Sequence, residues 1–173
     1  SYSQVATLHA AVKIRAESLS MLTLMLSTGE DQIIEFGPLI DLIDRPAEGW
    51  TGCQFWETSS ASLGLFGVAR WRRVFAAGGQ VAQIYPIAPM LLTLKQDRDG
   101  KPSHWEFRPG PGKTERLELE EIYSIVDPDY ESPHDGRGLS PCQAAGLAIQ
   151  QLYHSDLANV ASLENGVEPG GAL

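Results

Sequence analysis

The residues best suited to chemistry lie in Gly110-Pro111-Gly112-Lys113-Thr114, a stretch that ends like a phosphate-binding loop. Such a loop has a glycine five residues before its Gly-Lys pair, and here that position is Phe107. Its backbone N–H groups hold the phosphate, but Pro109 and Pro111 have none to offer. A helix should follow, whereas Arg116-Leu117-Glu118-Leu119 alternates like a strand. The stretch is therefore predicted to be a β-turn, with a nucleotide site as the alternative.

Residues that could bind a metal or act as nucleophiles are scattered along the chain. The histidines share no ligand spacing with cysteine or carboxylate; they are His9, His104, His134 and His154. His134-Asp135 is the nearest approach to a ligand pair, and it lies in a loop rich in turn-forming residues. The Ser140-Pro141-Cys142 run has no base nearby. We therefore assign no catalytic, cofactor-binding or metal-ligating residue and expect no cofactor.

A basic cluster, Arg70-Trp71-Arg72-Arg73, precedes an acidic run between Glu115 and Asp135. The cluster has three interpretations: contact with nucleic acid, a solvated strand face, or salt bridges to another subunit, for which the acidic run offers partners. The net charge of −9 argues against simple nucleic-acid binding, which needs clustered Lys and Arg. The acidic run instead predicts a surface that repels DNA and lets it pass without sticking.

The sequence predicts capped helices and β-hairpins in separate parts of the chain. Thr51 with Gln54 forms a capping box that predicts a helix from Gly52 to Phe66, closed by Gly67. Short helices, strands and turns are predicted elsewhere: a helix at 5–19, a helix at 39–44, strands at 68–75, 81–85, 90–95, 103–108 and 116–126, and turns at 78–79, 97–100 and 109–112. Helices, then hairpins, then one long helix predict an α+β fold with an antiparallel meander, built as a single domain over 1–173.

The last third of the chain has the clearest helix boundaries. Ser140 is a suitable N-cap, Pro141 follows at the first helical position, and Gln143 completes a capping box. Asn165-Gly166 suits a left-handed end, so one continuous helix of about six or seven turns is predicted. Small residues line its first half, so Ala145 and Ala148 are expected to pack tightly.

Composition narrows the class of protein further. The chain has 173 residues, of which 43% are hydrophobic and 20% charged, as in ordinary globular domains. Cys53 and Cys142 fit free thiols in a reducing compartment better than a disulfide framework. No stretch is apolar enough for a membrane span and no signal peptide is recognisable, so no membrane partner is expected. Both ends look cut, which suggests a fragment of a longer protein.

Several motifs occur in an order that resembles one family. They are Gly138-x-Ser140-Pro141, an Ala-rich helix, Asn165-Gly166-x-x-Pro169-Gly170-Gly171-x-Leu173 and, upstream, the segments 5–26, 38–46, 55–67, 85–89 and Gly100. Together they resemble the portal proteins of tailed double-stranded DNA bacteriophages, of the branch with HK97-type capsids. The sequence departs from the family's pattern at Val68-Ala69-Arg70 after Gly67, and at Tyr123-Ser124, where the family often has a histidine. Both departures suggest a divergent member.

The resemblance implies that the chain is a structural protein of a virion, encoded by a phage or by a prophage. The chain would be the N-terminal part of the portal wing, without clip, stem and crown. It would form a homo-oligomeric ring, typically of twelve copies, at one capsid vertex. Its partners would be terminase, the major capsid protein, the head–tail connector and double-stranded DNA passing without sequence specificity. Assembly would take place in the bacterial host cytoplasm, and the portal itself would not be an enzyme.

Two other functions remain as alternatives. One is a small, non-enzymatic adaptor or interaction domain. The other is a nucleotide-binding enzyme that acts through Gly112-Lys113-Thr114.

Overall fold

The computed structural model describes residues 6–27, 33–131, 138–164 and 166. The helices are α1 (Ala6–Ser20), α2 (Pro38–Asp44), α3 (Gly52–Phe66), α4 (Pro141–Ala144) and α5 (Gly146–Glu164). The strands are β1 (Leu26–Ser27), β2 (Ile33–Ile34), β3 (Val68–Phe75), β4 (Val81–Ile87), β5 (Leu92–Gln96), β6 (Pro102–Gly110), β7 (Lys113–Leu117) and β8 (Ile122–Val126). The predicted α+β class is confirmed.

Helix α3 is the centre of the fold, and its ends are those the sequence predicts. Thr51 accepts a hydrogen bond from the Gln54 backbone N–H, and the Gln54 side chain accepts one from Thr51 N at 3.1 Å. Gly67 ends the helix in the left-handed conformation at φ 67°. Helix α1 packs along α3, with Val12 against Gly64 and Ala16 buried, because these small side chains permit a close approach.

Six of the strands form two three-stranded antiparallel sheets, in the orders β4-β3-β8 and β5-β6-β7, and β1 pairs with β2 in a two-stranded sheet. The pattern predicted one strand over 116–126, and this prediction is wrong. A short 3-10 helix, Leu119–Glu121, divides that segment, and Glu118 and Glu121 cap it reciprocally. The interruption lets β7 pair with β6 while β8 crosses to pair with β3. The meander is therefore split between two sheets.

Strand β3 lies between the aromatic packing on α3 and a second apolar cluster. On the face towards α3, Trp71 packs against Phe55 with ring centroids 4.9 Å apart and donates to Ser59 Oγ at 2.9 Å. Ser59 in turn donates to the Phe55 carbonyl at 2.8 Å, which satisfies a buried hydroxyl. A separate apolar cluster joins the two sheets: Leu92, Trp105 and Leu117 of the second sheet meet Ile122 of the first, with Ile87 and Phe107 packed against them.

The C-terminal helix is interrupted, which corrects the prediction of one continuous helix. Ala145 adopts φ −85° and ψ 12° between α4 and α5. Gly146 follows it, and glycine is a poor helix former because it has the most backbone freedom to lose. The helical hydrogen bonds resume with Ile149 N to Ala145 O at 3.0 Å. Glu164 ends α5; Gly166 has a left-handed φ of 56°, as an end signal requires, whereas Asn165 lies outside the described residues.

The expected tight packing of Ala145 and Ala148 is also wrong. Both are exposed, and no residue of α5 is buried. The small side chains of the first half of the helix meet no opposing surface within the described part of the chain. Among the described elements, α5 contacts α4, which precedes it in the chain.

Replacing Phe55 by alanine is expected to lower the free energy of unfolding by about 3–5 kcal/mol, because Phe55 is 3% exposed and fills the space between α3 and β3. Phe36 offers a matched control, since it is 85% exposed. Phe36→Ala is expected to change the unfolding free energy by less than about 0.5 kcal/mol. Urea unfolding followed by circular dichroism measures both, and equal effects of the two substitutions would contradict this core.

Candidate functional site

The Gly-Lys-Thr stretch forms a hairpin turn, as predicted. Gly110 pairs with Lys113 across the antiparallel strands β6 and β7, and Gly112 takes the left-handed φ of 72° that the turn requires. Lys113 and Thr114 are exposed at the start of a strand. No helix N-terminus follows to hold a phosphate.

Metal-ligating side chains do not come together in the part of the chain that the structure describes. No group of three or more His, Cys, Asp or Glu residues is found there with the proximity that a metal ion needs. His134 and Asp135, the one suspected pair, lie outside the described residues. Cys53 is exposed and Cys142 is partly buried, and both are free thiols; burial raises the pKa of the Cys142 thiol. No described helix is long and apolar enough to cross a membrane.

The arginines of the basic cluster bind partners within the same chain. Arg70 donates to Ser124 Oγ at 3.2 Å on the neighbouring strand, and its guanidinium lies 4.3 Å from the ring centroid of Trp105 in the second sheet. Burial lowers the pKa of Arg70, although a guanidinium keeps its charge at neutral pH. Such a cation–π contact contributes about 0.5–2 kcal/mol, depending on desolvation. Arg70 therefore helps to join the two sheets.

Arg72 and Arg73 are also engaged. Arg72 forms a two-pronged ion pair with Glu115 of β7 at 2.6 and 3.2 Å, and lies 3.9 Å from Glu121. Arg73 donates to the Glu120 carbonyl oxygen. The acidic run does supply the partners, as expected, but they belong to the same chain and not to another subunit. The arginines join the two sheets and are not a free surface for nucleic acid.

The structure brings together two glycines that the sequence did not connect. A methyl group on Gly67 would lie 2.5 Å from the carbonyl carbon of Gly138 and 2.7 Å from Ser140 N. A methyl group on Gly138 would overlap the Gly67 carbonyl. The backbones thus meet directly where α3 ends, and we call the contact of Gly67, Asp127, Gly138 and Ser140 the glycine junction.

Hydrogen bonds hold the glycine junction in place. Asp127 N, just after β8, donates to Gly67 O at 2.8 Å, and Leu139 N donates to Asp127 O at 3.2 Å. Ser140 is fully buried; its hydroxyl accepts from Gln143 N at 2.9 Å, and its own N–H donates to Gln143 Oε1 at 3.1 Å. The predicted capping box is therefore confirmed. The junction fixes the point from which α4 and α5 leave the sheet.

Helix α5 carries an apolar side, and no residue of this helix is buried within the described part of the chain. Its members recur at helical spacings and fall within one arc of the helix: Ile149, Leu152, Tyr153, Leu157, Val160 and Leu163. We call this set the α5 face. Leu157 is 49% exposed and Leu163 84% exposed. Asp156 and Glu164 are the carboxylates within the arc, so a partner that buries the face would have to pair or avoid both.

Comparison with models of protein families gives a match over nearly the whole chain. A family model described as "Phage portal protein" matches residues 6–173, from the first residue of α1 through the glycine junction and α5.

The chain belongs to the phage portal protein family.

Solved structures share the fold of this portal-family chain. The neck of an empty gene transfer agent (GTA) particle, computed with C6 symmetry, matches 99% of this chain and 46% of that chain, with a TM-score of 0.84 and 23% identity. The neck of a native GTA particle, computed with C12 symmetry, matches the same shares with a TM-score of 0.78 and 21% identity. The HK97-family portal protein of Corynebacterium diphtheriae matches 97% and 49%, with a TM-score of 0.61 and 12% identity.

These comparisons also define the size of the shared region. The portal-family chain spans about half the length of the chains it matches. At these identities the likeness establishes the fold. The comparison with curated proteins gives no match.

The sequence predicts both capping boxes but not the glycine junction. It marks Gly67 as a helix end and Gly138 as part of a family motif. Neither residue carries a signal of its contact with the other, because that contact depends on β8 returning to β3. A pair of glycines, one ending a helix and one preceding an N-cap, is the pattern that could have suggested it.

Gly138→Ala is expected to cost at least about 2 kcal/mol of unfolding free energy, because the added methyl group overlaps the Gly67 carbonyl and the two backbones must separate. Gly110→Ala is the control. Gly110 has no atom within 4 Å of an added methyl group and no left-handed φ, so a change below about 0.5 kcal/mol is expected. Denaturant unfolding of both variants measures the difference. Wild-type stability of Gly138→Ala would contradict the backbone contact.

Proposed function

We propose that this chain is the wing region of a portal subunit, which assembles into a homo-oligomeric ring of twelve copies at one capsid vertex. The match to the portal family over residues 6–173 is the observation that carries the proposal. Two of the solved structures with this fold are particle necks of C6 and C12 symmetry, which supports a ring. The clip, stem and crown would belong to the rest of the subunit.

The charge distribution supports passage of double-stranded DNA without sequence-specific binding. The net charge is −9, and the arginines of the one basic cluster are engaged by Ser124, Glu115 and the Glu120 carbonyl. Phosphate binding requires free Lys and Arg, and each lost contact weakens it. An acidic wall repels the DNA backbone and so limits friction during packaging and ejection.

The remaining partners follow from the proposed place of the ring. Terminase would dock on it during packaging and the head–tail connector afterwards, with the major capsid protein around the vertex. The location would be the virion, after assembly in the bacterial host cytoplasm. The exposed α5 face supports a role in protein contacts, since monomeric proteins rarely leave extended apolar surface uncovered. No specific feature favours the adaptor alternative.

Electron microscopy of the intact subunit that contains this chain tests the proposal. Class averages are expected to show closed rings with a central channel and rotational symmetry. The ring population should persist when the protein is diluted to micromolar concentration. Monomers alone at every concentration would contradict the proposal.

We also infer a structural and not an enzymatic role. Titration calorimetry of the chain with Mg²⁺–ATP or Mg²⁺–GTP is expected to give no binding below about 1 mM, because the Gly112 turn has no phosphate cradle. Lys113→Ala and, as a matched exposed lysine beside another hairpin turn, Lys101→Ala should be indistinguishable. Micromolar affinity that Lys113→Ala abolishes and Lys101→Ala retains would favour the enzyme instead.

A further inference from the structure

The two C-terminal helices differ in how firmly the folded body holds them. Helix α4 begins after Ser140, which is fully buried in the glycine junction and closes a capping box with Gln143. Helix α4 also packs against α3. Helix α5 has no buried residue within the described part of the chain, and Leu147 in its first turn is 79% exposed. The body therefore fixes α4, whereas α5 is held through its connection to α4.

That connection interrupts the helical backbone. Helix α4 ends at Ala144 and α5 begins at Gly146. Between them Ala145 has φ −85° and ψ 12°, in the sparsely populated region that bridges helical and extended conformations. Its N–H is shared between the carbonyls of Pro141 and Gln143. A break of this kind in the helical hydrogen bonds, beside a glycine, is a point at which a helix changes direction.

The backbone at Gly146 is free to absorb such a change. Nothing outside the local backbone lies within 4 Å of the position that a methyl group on Gly146 would occupy. Glycine also has the greatest conformational freedom of any residue. Hinges in proteins are a few residues at the ends of elements that take up changes in φ and ψ. Ala145 and Gly146 have both the position and the freedom that a hinge requires.

We infer that Ala145-Gly146 is a hinge about which α5 turns as a rigid rod relative to α4 and the folded body. The inference does not depend on the proposed function, because it concerns the backbone of the chain itself. Helix α5 has 19 residues and is therefore about 28 Å long. A rotation of about 20° at the hinge moves its far end by about 10 Å.

The cost of movement places the hinge after α4 and not before it. Turning at Ala145-Gly146 disturbs no core packing, since neither Ala145 nor any residue of α5 is buried within the described residues. Turning at Ser140 would instead break the capping box and the glycine junction. Beyond the hinge the helix resumes, with Ile149 N donating to Ala145 O at 3.0 Å. Local movements follow the route that loses the fewest buried contacts.

Distances between pairs of spin labels, measured by pulsed electron paramagnetic resonance, test the hinge. The first pair joins the body to α5 and uses the exposed native Cys53 with Ser162→Cys, in a background of Cys142→Ser. The reference pair lies within the body, on Cys53 and on Ala11→Cys of α1. The distribution of body-to-α5 distances is expected to be at least about twice as wide as that of the reference pair.

Gly146→Ala is expected to reduce the width of the body-to-α5 distribution by at least about half, because alanine favours one continuous helix through α4 and α5. Gly146 has no left-handed φ, so alanine fits there without strain. Gly110→Ala is the matched control. Its added methyl group also meets nothing within 4 Å, and the width should stay unchanged.

A third pair distinguishes turning of α5 from fraying. Leu147→Cys and Ser162→Cys, with Cys53→Ser and Cys142→Ser, are expected to give a single narrow peak near 22 Å, the rise of the helix between them. A broad distribution for this pair would mean that α5 unfolds instead of turning, and would overturn the inference. A body-to-α5 width equal to the reference width, or one that Gly146→Ala leaves unchanged, would overturn it as well.

Discussion

The fold depends on a direct contact between two backbones, at Gly67 and Gly138. Gly67 ends α3 with a positive φ, so its carbonyl turns towards the end of β8 and accepts the Asp127 amide. Gly138 passes across that carbonyl at a distance that leaves no space for a side chain. Ser140, buried immediately afterwards, then begins α4 with a capping box. One contact thus ties the central helix, the sheet and the last helices together.

A second constraint joins the two sheets through strand β3. Alternate side chains of this strand face opposite ways, with Trp71 towards α3 and Arg70 and Arg72 towards the β5-β6-β7 sheet. Across the sheet boundary Arg70 contacts the Trp105 ring and Arg72 pairs with Glu115, while the buried Nε of each has no hydrogen-bond partner among the described residues. This arrangement explains how a strongly acidic chain can contain an arginine-rich strand without presenting a nucleic-acid-binding surface.

Local signals made much of the fold predictable from sequence. The Thr51–Gln54 and Ser140–Gln143 capping boxes, the Gly67 helix end, strand β3 and the Gly100 and Gly112 turns depend on neighbouring residues, and all were predicted. Features that depend on residues distant in the sequence were not predicted. The return of β8 to β3, the Arg72–Glu115 ion pair and the glycine junction each need the tertiary structure. Exposure of α5 could not be predicted either, because an amphipathic helix has the same pattern whether its partner is in the chain or outside it.

A folded body, held by the glycine junction, presents the α5 face for contacts made on assembly. Amide hydrogen exchange, compared between the separate chain and assembled rings, tests it most directly. In the separate chain, α3 and β3 should exchange slowly and α5 rapidly; in rings, α5 should gain protection while α3 and β3 stay unchanged. Protection of α5 equal to that of α3 in the separate chain, or no gain on assembly, would contradict the claim.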